Sequence, residues 1–153
     1  MNDKELECWL LEAEFNVTAP LNQAINSTIH NANTPLMHAA RYGNLNVITA
    51  LLSRGADAAL LNADSNGALW FACFSNSEAC VAALIEAGAP LDTQNINGAT
   101  ALIYCASTGK SALVRQLLDA GANTALVTLD DFTALDLAGN LACMKLLKAA
   151  RAV

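Results

Sequence analysis

Apolar residues return along the chain at intervals suited to short helices with one buried face. Between Leu45 and Ser53 they fall at Leu45, Ile48, Leu51 and Leu52, which predicts an amphipathic helix with that stripe turned inward. Just before it, Thr34-Pro35-Leu36-Met37-His38-Ala39-Ala40-Arg41-Tyr42-Gly43 predicts a shorter helix, capped by Thr34, primed by Pro35 and ended by Gly43. The two are expected to lie antiparallel. Gly55 supplies the positive φ that closes the second helix, and the Asp, Asn and Ser residues between Ala56 and Asn66 predict an extended, hairpin-like connection.

The same arrangement then repeats. Gly55-Ala56, Gly88-Ala89 and Gly121-Ala122 recur every 33 residues, preceded at a fixed interval by Leu51-Leu52, Leu84-Ile85 and Leu117-Leu118. Leu36, Leu69, Leu102 and Leu135 keep the same 33-residue step. Self-similarity at this period predicts stacked helix pairs, each burying the face that its neighbour leaves open.

The residues that carry this period resemble the ankyrin repeat family, whose T-P-L-H-x-A-A motif and G-A close correspond to Thr34-Pro35-Leu36-Met37-His38-Ala39-Ala40 and Gly55-Ala56. The resemblance covers about residues 29 to 149 and implies an all-α fold, an ankyrin-repeat α-solenoid of stacked antiparallel helix pairs with connecting β-hairpin-like loops. Two departures stand out. Met37, Trp70, Ile103 and Asp136 replace the motif histidine, so its hydrogen-bond network is not expected in the usual form. In the second unit Gly67-Ala68 stand where Thr-Pro belong, leaving that helix without its expected cap.

One domain is expected over residues 1–153, with an amino-terminal cap at 1–28, full repeats at 29–61, 62–94 and 95–127, and a shortened closing repeat at 128–153. In the front cap Leu6, Trp9, Leu10 and Ala13 form an apolar stripe, followed by a second helix led by Pro20. The last unit opens with Thr133-Ala134-Leu135-Asp136-Leu137-Ala138 as a first helix. Its second helix, Leu141 to Ala149, arrives about four residues early. There Lys145, Lys148 and Arg151 are expected to face water and Leu146 and Leu147 the core, as a terminal unit requires.

Composition narrows the function. The chain of 153 residues is 54% hydrophobic, enough for a continuous core that folds alone. No apolar run approaches the roughly 20 residues of a spanning helix, and the start, Met1-Asn2-Asp3-Lys4-Glu5, does not read as a leader. A cytoplasmic protein without a membrane partner is expected. The formal charge of −6 argues against nucleic acid and makes any charged partner basic. Asp3, Glu5, Glu7, Glu12 and Glu14 crowd the start while Lys145, Lys148 and Arg151 close the chain, which suits the helix dipoles at both ends.

Candidate chemistry is thin. Cys8, Cys73, Cys80, Cys105 and Cys143 form no C-x-x-C pair and are expected to be free, buried thiols. Cys80 shares its repeat position with Val47 and Leu113, and Cys73 shares one with Ala40 and Ala106. His30 and His38 give no ligand set for a metal and no base for a cysteine nucleophile. Gly109-Lys110-Ser111 resembles the end of a phosphate-binding loop, yet Tyr104 occupies the earlier glycine position and Gly109 is the turn glycine that the repeat requires. Asp130-Asp131 read as solvated turn carboxylates, and the triplets Asn16-Val17-Thr18 and Asn26-Ser27-Thr28 matter only in a secreted eukaryotic protein. No catalytic residue, cofactor or metal is expected.

The family resemblance implies a binding surface formed by the loop tips and the exposed side of the first helices. It places there Asn31, Asn33, Arg41 and Tyr42, then Asp64, Asn66, Phe74 and Ser75, then Asn97 and Thr108, then Asp130 and Phe132. Trp70 and Phe71 are expected to fill the core, with exposure of Trp70 beside Phe74 as the alternative. The function expected is a monomeric protein-protein interaction module. A sharper alternative is an immunity or antitoxin-like protein that neutralises a basic toxin. An enzyme that binds nucleotide through Lys110 and Ser111 is the reading from a different class.

Overall fold

The computed structural model describes residues 1–151; Ala152 and Val153, the end of the expected closing repeat, lie outside the described residues. The fold is all-helical, with no strand among the described residues. Helices α1 (Asp3–Glu12), α2 (Leu21–Ala24), α3 (Pro35–Arg41), α4 (Leu45–Ser53), α5 (Ala68–Phe74), α6 (Glu78–Glu86), α7 (Ala101–Ser107), α8 (Ser111–Asp119) and α9 (Leu141–Arg151) follow one another, with a 3-10 turn at His30–Ala32. They group into two compact units, Met1–Ala89 and Pro90–Val153.

The first unit is built outward from small residues. In α3 and α5 the side chains of Ala39, Ala40, Ala72 and Cys73 are wholly buried, and α3 packs directly on α5. Helix α4 closes behind α3, and α6 behind α5. Val47, Ile48 and Leu51 make the buried face of α4, whereas Leu45 is exposed and Leu52 half-buried. The stripe expected at Leu45 and Leu52 is therefore rotated: these residues lie about two turns apart along the helix edge, and the centre of the buried face runs through Val47 and Leu51.

Capping follows the sequence closely. Thr34 Oγ1 accepts from Met37 N–H at 3.2 Å, and the Thr34 N–H reaches the Met37 Sδ at 3.4 Å, so the thioether takes over the back-contact of a polar residue. In the closing repeat Asp136 does this with a carboxylate, accepting from Thr133 N–H at 2.9 Å. Gly67 gives α5 no side-chain cap. At the front, Asn2 and Glu5 form a reciprocal cap on α1, and Glu14, at φ 66°, turns the chain so that Phe15 N–H bonds Leu10 C=O at 2.8 Å. Leu6, Leu10, Ala13 and Phe15 are buried there and Trp9 is half-buried.

Each connecting loop is tied by the same bond, 33 residues on: Ile29 N–H to Asn33 C=O, Asn62 to Asn66, Asn95 to Ala99 and Thr128 to Phe132. Within the units, loop is tied to loop by Ala63 N–H to Asn31 C=O at 2.9 Å and Leu129 N–H to Asn97 C=O at 3.0 Å. The second of these bonds demands Gly98, at φ 74°, where a Cβ would lie 2.9 Å from Leu129 N. Gly55, Gly88 and Gly121 also have positive φ but face open space.

In the second unit α7 packs on α8, and α8 on α9. The expected first helix of the closing repeat is reduced to one turn over Ala134 to Leu137. The cause is the segment that follows. Gly139 N–H bonds Ala106 C=O at 2.8 Å, and a Cβ on Gly139 would lie 2.7 Å from Ser107 C=O. Asn140 then bonds Gly109 C=O through Nδ2 and caps α9 through Oδ1, both at 2.8 Å. The chain is thus pinned to the end of α7 before a longer helix can form. Leu147 and Cys143 are buried in α9, but Leu146 is only half-buried, against expectation, because it lies at the edge of that face.

Cys73, Cys80, Cys105 and Cys143 are buried free thiols, and burial pushes the Cys143 thiol up from its ordinary value. Cys8 departs from the expectation. It is exposed on the side of α1 away from the buried Leu6 and Leu10.

Two substitutions test these constraints. Gly98→Ala is expected to destabilise the protein by about 2 kcal/mol in urea unfolding, through positive-φ strain plus a backbone clash, and Gly121→Ala by about 1 kcal/mol through strain alone. Equal effects would show that the close loop approach contributes nothing. Gly67→Thr, at an extended φ of −101°, is expected to stabilise by about 0.5–1 kcal/mol by supplying the missing cap and restricting the unfolded chain.

Candidate functional site

The first unit holds a cleft of about 230 Å³ between the loop tips and the exposed edges of α3 and α5. Six residues expected to bind a partner line it together: Asn31, Asn33, Arg41, Asp64, Asn66 and Phe74. Sequence reasoning did not place Asn62 there, nor commit Trp70 and Phe71 to it. For Asn62 a signal was available, since it opens its loop at the position that Asn95 holds 33 residues later.

One wall is an amide and carboxylate ladder. Asn31, in the left-handed region at φ 62°, donates through Nδ2 to Asp64 Oδ2 at 2.7 Å. Below it Asn62 Nδ2 donates to Asn33 Oδ1 at 2.9 Å, while Asn62 Oδ1 accepts from the N–H groups of Asp64 and Asn66, each at 3.0 Å. The buried Asn62 thereby fixes the loop's shape, and Asn31 and Asp64 remain at its rim.

The other wall is aromatic. Trp70 and Phe74, four positions apart on α5, stack at 5.9 Å with their rings 16° apart, and Phe71 meets Trp70 edge-on at 5.3 Å. Phe71 is buried, Trp70 half-buried and Phe74 46% exposed, so the aromatic run serves core and cleft at once. From α3 the Arg41 guanidinium lies over the Phe74 ring, 5.5 Å from its centroid. Such stacks are worth about 0.5–1.5 kcal/mol, enough to bias side-chain position but not to lock it.

Tyr42 and Ser75 stand apart from the cleft. Tyr42, 69% exposed, leans on His38 at 5.0 Å between ring centres. His38 in turn meets Trp9 and Phe15 edge-on at 5.7 and 6.0 Å, joining the front cap to α3. Ser75 serves the fold: its Oγ donates to Ala40 C=O at 2.8 Å and to Ala72 C=O at 3.0 Å, tying α5 to the end of α3.

In the second unit the remaining candidates are dispersed. Thr108 is exposed, but its Oγ1 donates to Tyr104 C=O at 2.8 Å. Asn97 is exposed and uses its carbonyl for the loop bond to Leu129. Asp130 and Phe132 sit at the next loop tip, both exposed, beside Asp131 at φ 65°.

The phosphate-loop resemblance at Gly109-Lys110-Ser111 finds no cradle. The three amides bond Ala106, Cys105 and Gly109 carbonyls at 3.2, 2.9 and 3.0 Å, and the Lys110 Nζ lies over the Tyr104 ring at 4.8 Å. No group of three or more His, Cys, Asp or Glu residues that could hold a metal occurs among the described residues. No helix among them is long and apolar enough to cross a membrane.

The sequence model of ankyrin repeats (3 copies) matches residues 2–95 and 69–152 of the chain. No curated protein matches it.

Burial, and then the Arg41 charge, hold the His38 pKa below its ordinary 6.5. A base whose folded pKa is depressed contributes stability that is intact above its unfolded pKa and is lost as pH falls through the folded value. Acidification from about pH 7.5 to about pH 5 is therefore expected to lower the urea midpoint of the native protein more than that of His38→Gln. Parallel falls would remove His38 as the source.

Proposed function

The chain belongs to the ankyrin repeat family, and from that premise we propose that it is a protein-binding module whose first unit engages a partner through the cleft between α3, α5 and the loop tips. Ankyrin repeats are generally protein-protein interaction modules and typically non-enzymatic scaffolds. The single observation that carries the proposal is the convergence on one cleft of an exposed Arg, two aromatic residues at its surface and a rim of amides, none of which the core requires in that form. Arg and aromatic side chains supply most of the energy at protein interfaces when a partner desolvates them, about 2 kcal/mol or more at a hot spot. Tyr42 extends the surface beyond the cleft, and Asp130 and Phe132 give the second unit a recognition tip of its own.

The triple variant Arg41→Glu, Tyr42→Ala, Phe74→Ala is expected to keep its circular dichroism spectrum, because all three side chains are exposed. Affinity capture from the source cell followed by mass spectrometry is expected to recover a partner with the native protein and to lose it with the variant. A partner retained by both would move the site away from this face.

A further inference from the structure

Resting on that reading of the cleft as a protein-binding site, we propose that its occupant is an extended acidic segment of the partner, in which an Asp or Glu carboxylate pairs with Arg41 and an adjacent aromatic or aliphatic side chain lies on Phe74 and Trp70. Size comes first. At about 230 Å³ the cleft is smaller than the roughly 300–1,000 Å³ typical of small-molecule and cofactor sites, and suits one or two side chains of a peptide.

Charge chooses the sign. The cleft contains one cation and one anion, Arg41 and Asp64, and they are not equivalent. Asp64 is half-buried and accepts from Asn31 at 2.7 Å. Arg41 is exposed and makes no hydrogen bond or ion pair among the described residues; it lies over the face of Phe74, and the other group its charge acts on is the His38 ring, which offers it no anion. A guanidinium lying over a ring leaves its N–H edges pointing outward in a planar fork, the arrangement that takes a carboxylate through two parallel hydrogen bonds. The unmet hydrogen-bonding capacity of the site is therefore that of a donor, and the group it lacks is an anionic acceptor.

The local chemistry thus opposes the inference from net charge. A total of −6 acts at long range and is screened within about 8 Å at physiological ionic strength, so it does not decide which group sits on Arg41. The aromatic surface beside Arg41 sets the neighbouring residue, because Phe74 is 46% exposed and a partner side chain placed on it loses apolar surface to the contact. The rim amides of Asn31 and Asn33 flank the path that the segment's backbone would follow.

The probe is a pair of phage-displayed peptide libraries, one fixing Asp or Glu next to Phe, Tyr or Leu, the other fixing Lys or Arg at the same place, panned against the full chain. Acidic sequences are expected to be enriched. A selected peptide should bind Arg41→Gln at least about tenfold more weakly than the native protein, and Arg41→Lys nearly as weakly, because an ammonium lacks the planar fork. Asp64→Asn, which removes the one carboxylate of the cleft and keeps an acceptor for Asn31, should strengthen binding, a readout that general loss of fold would not give. Enrichment of basic sequences, enrichment of neither, or acidic binding indifferent to Arg41→Gln would each overturn the proposal. In any of those cases capture of a cellular partner that the triple variant loses would still leave the protein-binding reading standing, so the two failures are distinguishable.

Discussion

Helices of seven to eleven residues, such as α3 and α9, do not persist in water by themselves, since nucleation is unfavourable and too few bonds follow to offset it. Here they persist because small side chains let one helix lie against the next. Ala39, Ala40, Ala72 and Cys73 are all wholly buried where α3 packs on α5, and no larger side chain would allow that approach. The same proximity brings Ser75 Oγ within 2.8 Å of Ala40 C=O, so a carbonyl at the end of α3 that already accepts from Gly43 N–H at 3.0 Å gains a second donor from the neighbouring repeat. Packing and capping are in this way one device.

The loops depend on that stacking and in turn extend it. Once the helices are in register, equivalent loop residues 33 apart come close enough for backbone bonds such as Ala63 N–H to Asn31 C=O, and for side-chain bonds such as Asn31 to Asp64. Asn62 supplies the internal order by accepting two amides of its own loop. Glycine is indispensable where two backbones nearly touch, at Gly98, and merely convenient where a helix ends into open space, at Gly121.

What the scaffold leaves undetermined is where recognition can reside. Buried faces in both units are fixed by packing, whereas Arg41, Tyr42 and Phe74 project from helices whose other faces already hold them in place. A rigid backbone with exposed side chains already set against one another, as Arg41, Phe74 and Trp70 are, lets a partner gain contact area at small entropic expense. The cleft gathers such side chains around a donor group in an otherwise acidic chain, which is why local geometry outweighs total charge in assigning the occupant.

The sequence by itself determined the period, the register, the cap at Thr34, and the small and apolar core positions, including Cys73 and Cys80 as core residues. These properties are local or recur at a fixed step, so the chain states them several times over. Tertiary structure decided the rest. That the last repeat begins with one turn follows from Gly139 and Asn140 docking on the carbonyls that end α7, a contact between residues about thirty positions apart that no local pattern announces. The outward turn of Leu45, the tie from Ser75 to Ala40 and the meeting of Arg41 with Phe74 were likewise set by which faces the neighbouring helices cover. Periodicity says that a helix has an inner face; only the packed neighbours fix where its edges lie, and it is at those edges that the candidate site is made.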